Sequence, residues 1–154
     1  VMVHRGPDDF GGYAEREVAL GMRRLSIVDV GGGHQPLGNE DGSVQIVYNG
    51  EVYNFQSLQV EAEARGHRFA TRTDTEVLIH LYEEIGLEAM ARELNGMFAL
   101  AIWDTRSRML HLLRDPYGVK PLFWQADAEH FRFGVAARPT SLLSGLLFKV
   151  AGCI

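Results

Sequence analysis

Met97-Phe98-Ala99-Leu100-Ala101-Ile102-Trp103, the polar run Asp104-Thr105-Arg106-Ser107-Arg108, then Met109-Leu110-His111-Leu112-Leu113: two apolar segments of strand length around a polar turn predict an antiparallel hairpin. Leu122 to Gln125 and His130 to Val135 repeat that pattern around Asp127-Ala128-Glu129. Upstream the period lengthens. Val77, Leu78, Leu81, Tyr82 and Ile85 make the apolar stripe of a helix, opened by Thr73 or Asp74 and closed by Gly86, with a weaker helical turn over Leu87 to Glu93. Asn54 is the expected cap of another helix, from about Phe55 to Arg65, that stops at Gly66, and Arg68 to Thr71 reads as a short strand. After an Asn39-Glu40-Asp41-Gly42 turn, Val44, Ile46 and Tyr48 alternate with Gln45 and Val47 in a strand expected to end at Asn49-Gly50. Val18 to Met22 and Leu25 to Val30 are two further short apolar strands. Two helices in the middle of a strand-rich chain predict an α+β domain of layered antiparallel sheet and helices, not alternating βαβ units.

The 154 residues, 46% hydrophobic and 23% charged, suffice for one core, and no repeat or linker divides them, so a single domain over residues 1–154 is expected. Fifteen Lys and Arg against twenty Asp and Glu give a net charge of -5, the wrong sign for neutralising phosphates, so no nucleic-acid partner is expected. No stretch reaches the roughly 18 apolar residues of a membrane span, and there is no export signal. The single cysteine, Cys153, cannot close an internal disulfide. These features predict a protein of the reducing cytoplasm with no membrane partner. Val1 in place of Met suggests that the chain ends are not those of a gene product.

Polar clusters interrupt the core pattern, three of them at element ends, where loops converge on small ligands. Asn49-Gly50 alone reads as a turn. The chemical alternative is an oxyanion hole, in which the Asn amide N–H and the next backbone N–H point at one oxygen and glycine lets the backbone come close. Asp74 is most simply a helix cap, and alternatively a carboxylate for a ligand ammonium group. Arg24, most simply a surface residue, has the planar fork that suits a ligand carboxylate. The three chemical readings together specify an amino acid with a side-chain amide. Neither His4 with Asp8 and Asp9 nor His34 makes a metal site: no His pair sits at i, i+4 and there is no Cys-x-x-Cys, so no metal is expected. Gly31 to Gly33 lacks the Lys and Ser or Thr of a phosphate loop.

In this order His4-Arg5-Gly6-Pro7-Asp8, Arg24-Leu25-Ser26-Ile27-Val28-Asp29, Asn49-Gly50-Glu51-Val52-Tyr53-Asn54, Thr73-Asp74-Thr75-Glu76, Asn95-Gly96-Met97-Phe98-Ala99 and Arg114-Asp115-Pro116-Tyr117-Gly118-Val119-Lys120-Pro121-Leu122 resemble the glutaminase domain of class II glutamine amidotransferases, most closely the asparagine synthetase type. The likeness runs from residue 4 to about residue 144. It implies an N-terminal nucleophile hydrolase fold, a four-layer αββα sandwich of two antiparallel sheets between helices. It also implies roles: Arg24 for the α-carboxylate of L-glutamine, Asp74 for its α-ammonium group, Asn49 and Gly50 for the oxyanion, and Glu51 with Leu25, Ser26, Ile27 and Val28 lining the pocket. The implied reaction is hydrolysis of L-glutamine to glutamate and ammonia, which feeds an asparagine synthetase-type amidation of aspartate. No cofactor is implied for this domain; ATP and Mg belong to a synthetase domain that this chain lacks.

The resemblance breaks at the nucleophile, which in the family is a cysteine at the processed N-terminus whose thiolate attacks the glutamine amide carbon. Here the chain begins just before the His4 motif, so the family's first strand is expected to be missing in chain order. Cys153 is the one candidate thiol, and its simpler reading is a small buried hydrophobe. Residues 148–154 read backwards look like the family's opening strand, but reversed similarity carries no chemistry. The alternative function is a non-catalytic glutamine-binding or regulatory module. Sheet edges left without their first strand predict association into a homo-oligomer.

Overall fold

A computed structural model describes residues 9–24 and 34–135, with only the backbone given for residues 9, 23 and 24. Its centre is a four-stranded antiparallel sheet in the order β3-β4-β5-β6, formed by β3 (Leu37–Gly38), β4 (Val44–Val52), β5 (Gly96–Asp104) and β6 (Met109–Arg114). The predicted hairpin is β5 and β6, with Ala101 opposite Leu112. β5 is one of the sheet's two inner strands. Phe98, Leu100 and Ile102 project to one face and Ala99, Ala101 and Trp103 to the other, and all six are buried, which explains an unbroken apolar run in place of alternation.

Helices α1 (Phe55–Ala64) and α2 (Asp74–Glu93) cover the first face, where Leu78, Leu81 and Met90 pack with Ile46, Tyr48, Phe98 and Ile102. Burial of each large side chain contributes about 1.5–3 kcal/mol. On the second face lies the hairpin of β1 (Asp9–Ala14) and β2 (Ala19–Arg24), whose Val18 and Leu20 join Val47, Ala101 and Trp103. The indole Nε1 of Trp103 donates to Glu15 at 3.1 Å, and Arg108 pairs with Glu17, fixing this hairpin to the sheet. The second hairpin, β7 (Phe123–Ala126) with β8 (Phe131–Gly134), adds Phe133 and Phe131 to the same cluster. Among the described residues the order is therefore helices, central sheet, hairpins: an α+β fold of antiparallel sheets. No second helical layer falls within them, and no helix is long and apolar enough to cross a membrane.

Local structure departs from the sequence reading at four places. β1 was not anticipated; in it Gly11 lets the backbone of Gln35 approach, a Cβ there lying 1.8 Å from the Gln35 carbonyl oxygen. β4 does not stop at Asn49-Gly50 but runs on to Val52, held by β5 through Val52 opposite Gly96. Arg68 to Thr71 forms no strand: the Ala70 and Thr71 N–H groups donate to the Glu76 carboxylate at 2.7 and 2.6 Å, taking the place of ladder partners. Asn54 holds the cap position of α1 as expected, but without a side-chain bond to that helix. Its amide donates to the Glu93 carbonyl and its oxygen accepts from Asn95 N–H, tying the start of α1 to the end of α2. Thr73 holds the cap position of α2 without a side-chain bond, and Asp74 is the first helical residue. Gly86 ends the first segment of α2 as expected, at φ 74° and ψ 170°, and Leu87 to Glu93 form the second. The Leu25 to Val30 strand lies outside the described residues.

Candidate active site

The far end of β4 has an open edge. β3 covers β4 only at Ile46 and Gln45, so beyond that point the N–H groups on this side of the strand have no neighbouring strand. In an antiparallel ladder such groups recur at every second residue, and Tyr48, Gly50 and Val52 share this edge. The Tyr48 N–H donates to Oε1 of buried Gln35 at 2.7 Å. The Val52 N–H donates to Oδ2 of Asp74 at 3.2 Å. Between them the Gly50 N–H faces outward, with no partner among the described residues.

Gly50 is also the residue that only glycine fits. Its φ is 153°, and a Cβ would lie 2.1 Å from the Met97 carbonyl oxygen and 2.6 Å from the Phe98 Cα. The tight approach of β5 thus fixes the backbone that carries the free N–H. Side-chain alternation puts Asn49 and Glu51 on the hairpin face, together with Val47, and Tyr48 and Val52 on the helix face. Asn49 is half-buried and Glu51 exposed. The Asn49-Gly50 pair is therefore no turn, and one strand presents both an amide side chain and an outward backbone N–H.

Asp74 comes to this edge because α2 starts there. Its carboxylate turns away from its own helix and onto β4, where Oδ2 accepts from the Tyr48 hydroxyl at 2.6 Å as well as from Val52. Both bonds fall on Oδ2, so Oδ1 of this half-buried carboxylate has no partner among the described residues. Burial, and then the Asp74 charge beside it, raises the Tyr48 phenol far above its ordinary pKa, which keeps it a neutral donor. Gln35 completes the frame: besides accepting from Tyr48 it donates to Thr75 Oγ1 at 3.4 Å.

The structure brings Asn49, Gly50, Glu51 and Asp74 to one strand end. Arg24 closes β2 opposite Asp9, on the hairpin that packs against the Asn49 face, while its side chain lies outside the described atoms. Leu25, Ser26, Ile27, Val28 and Cys153 lie outside the described residues, as do His4 and Asp8. Tyr48 and Gln35 were missed by sequence reasoning. Tyr48 alternates like a core residue, and the available signal was the need of a buried phenol for a hydrogen-bond partner.

An antiparallel α+β frame that offers an amide, an outward N–H and an oriented carboxylate at one strand end agrees with the fold of N-terminal nucleophile hydrolase-type amidotransferases, to which the structural neighbour given below belongs. The chain belongs to the glutamine amidotransferase domain family, whose match covers residues 1–151. It is 48% identical over 124 residues to asparagine synthetase [glutamine-hydrolyzing] 1 of Bacillus subtilis (strain 168), covering 80% of this chain and 20% of that one. It is 41% identical over 143 residues to asparagine synthetase B [glutamine-hydrolyzing] of Escherichia coli (strain K12), covering 93% and 25%. In structure it resembles the glutamine phosphoribosylpyrophosphate amidotransferase of B. subtilis complexed with ADP and GMP, with TM-score 0.59, 27% identity, and 71% of this chain and 26% of that one covered. The chain spans about a fifth to a quarter of the length of these relatives.

Proposed function

We propose that this domain binds L-glutamine and hydrolyses its side-chain amide, releasing ammonia to a synthetase partner that amidates aspartate with ATP and Mg in the cytoplasm. One observation carries the reading: Asp74 is held by Tyr48 and Val52 beside an outward Gly50 N–H, with no partner for Oδ1 among the described residues. In this reading Oδ1 takes the α-ammonium group, Arg24 takes the α-carboxylate, and Leu25 to Val28 with Glu51 line the pocket. The amide carbonyl then lies against the Asn49 amide and the Gly50 N–H. When a thiolate adds to that carbonyl its oxygen becomes negative, and two fixed donors stabilise this charge more than that of the ground state. Cys153 is the candidate thiolate. The C–N bond breaks as the nitrogen takes a proton and leaves as ammonia; water then cleaves the thioester to glutamate. No metal or cofactor enters these steps.

Thermal denaturation with L-glutamine and with D-glutamine tests the pocket. Protection by the L-isomer alone, lost in Arg24→Ala and Asp74→Ala, is the expected result, and no protection of the parent chain overturns the reading. Ammonia release abolished by Cys153→Ala supports catalysis by that thiol. Protection without ammonia release leaves a glutamine-binding module.

A further inference from the structure

His80 is 3% exposed, and neither of its ring nitrogens has a hydrogen-bond partner, the only buried side-chain polar atoms left so among the described residues. A neutral imidazole needs an acceptor for its N–H and a donor, or a metal, for its lone pair. The surroundings supply carboxylates. Nδ1 lies 3.9 Å from Oε2 of Glu83, one turn further along α2, and Nε2 lies 3.9 Å from Oε1 of Glu76, one turn back. Glu40, exposed on the turn between β3 and β4, brings a third: ligand atoms of Glu40, His80 and Glu83 all lie within 4.8 Å of one another. The rings of His67 and Phe69, each centred 4.7 Å from that of His80, also pack against it.

We infer that Glu40, His80 and Glu83 form a binding site for a divalent transition ion of the zinc class. A 3.9 Å separation is too long for a hydrogen bond. It is close to the span of two atoms bound to one ion at about 2.0–2.2 Å, with a shift of some tenths of an ångström. Neighbouring bonds set the orientation. Asn39 Nδ2 donates to Oε1 of Glu83 at 2.6 Å, with an Arg106 guanidinium nitrogen 3.9 Å from the same oxygen, so Oε2 is the atom turned to His80. Glu76, itself fixed by Ala70 and Thr71, faces Nε2 and favours the tautomer with its proton there, leaving the Nδ1 lone pair toward the carboxylates. Two carboxylates balance a 2+ charge, and an imidazole favours zinc, cobalt or nickel over magnesium or calcium. The ion would clip the β3–β4 turn to the helix that begins with Asp74.

The test is a zinc and cobalt titration of the purified chain, followed by melting temperature, by calorimetric stoichiometry and by cobalt visible absorption. One ion per chain is expected, raising the melting midpoint by roughly 5 °C at about one hundred times Kd, with no effect of magnesium. Glu40→Gln, on an exposed turn that tolerates the change, weakens zinc at least tenfold, as does His80→Asn if that variant folds. Absence of a shift in the parent, or zinc affinity unchanged in Glu40→Gln, overturns the site and assigns any binding to the other histidines. None of these readouts uses glutamine, so the outcome is independent of the pocket proposed above.

Discussion

At Gly50 two constraints meet in one residue: a backbone angle that L-residues avoid, and the Met97 carbonyl oxygen 2.1 Å from any Cβ. The clashing atoms belong to the backbone of β5 and cannot swing aside. Gly50→Ala is therefore expected to cost about 3 kcal/mol, seen as a lower urea midpoint with an unchanged slope, together with loss of glutamine protection. Tyr48→Phe makes a different cut. It keeps the packing and removes one hydrogen bond to a carboxylate, at about 1.5 kcal/mol, so the chain should stay folded while its glutamine affinity falls as Asp74 loosens. Unchanged affinity in that variant would mean that Val52 N–H suffices to hold Asp74. Asp74 itself was legible in sequence as a residue at a helix start. The direction of its carboxylate was not, since that depends on a strand distant in the chain.

The elements show where local signals hold and where they yield. α2 keeps its predicted stripe from Val77 to Tyr82, with Ile85 left exposed, and its break at Gly86, because apolar spacing and a glycine stop act within a few residues. Around Gly86 there is open space, so no clash calls for a glycine; its φ of 74° and ψ of 170° lie in a region that essentially only glycine populates. Gly86→Ala should cost about 2 kcal/mol in urea denaturation with no change in glutamine protection, in contrast to Gly50→Ala. Arg68 to Thr71 and the end of β4 were misread for one reason. Whether a backbone N–H joins a ladder depends on which partner reaches it, and Glu76 and β5 are tertiary partners.

Across the whole molecule, buried or well-bonded titrating groups set the response to acid. For Asp115 and Asp104 burial opposes ionisation, but it is outweighed: backbone N–H groups of Lys120, Val119, Phe98 and Tyr117 surround the first, and those of Arg106 and Ser107 with the Tyr82 hydroxyl bind the second. Both carboxyls are held below their ordinary pKa, so the unfolded chain takes up protons first. Their stabilising contribution is complete above about pH 4 and is lost as pH falls further. His111, kept neutral by burial against a smaller opposing effect of Asp104, acts earlier, its contribution fading as pH drops through about 6.5. Urea midpoints from pH 8 to pH 3 should fall in two stages, and His111→Gln should flatten the first; a flat profile down to pH 5 in the parent would contradict this.

The sequence by itself determined the two helices, most of the strands, the α+β class and the candidate residues of the proposed pocket, because periodicity, glycine stops and ordered motifs are written locally. Tertiary structure alone decided that β4 passes through Asn49-Gly50 without turning, that Asp74 leaves its helix for Tyr48 and Val52, and that Glu40 meets His80 and Glu83. Each of those depends on which distant backbone or side chain arrives to satisfy a polar group, and spacing along the chain does not encode that meeting.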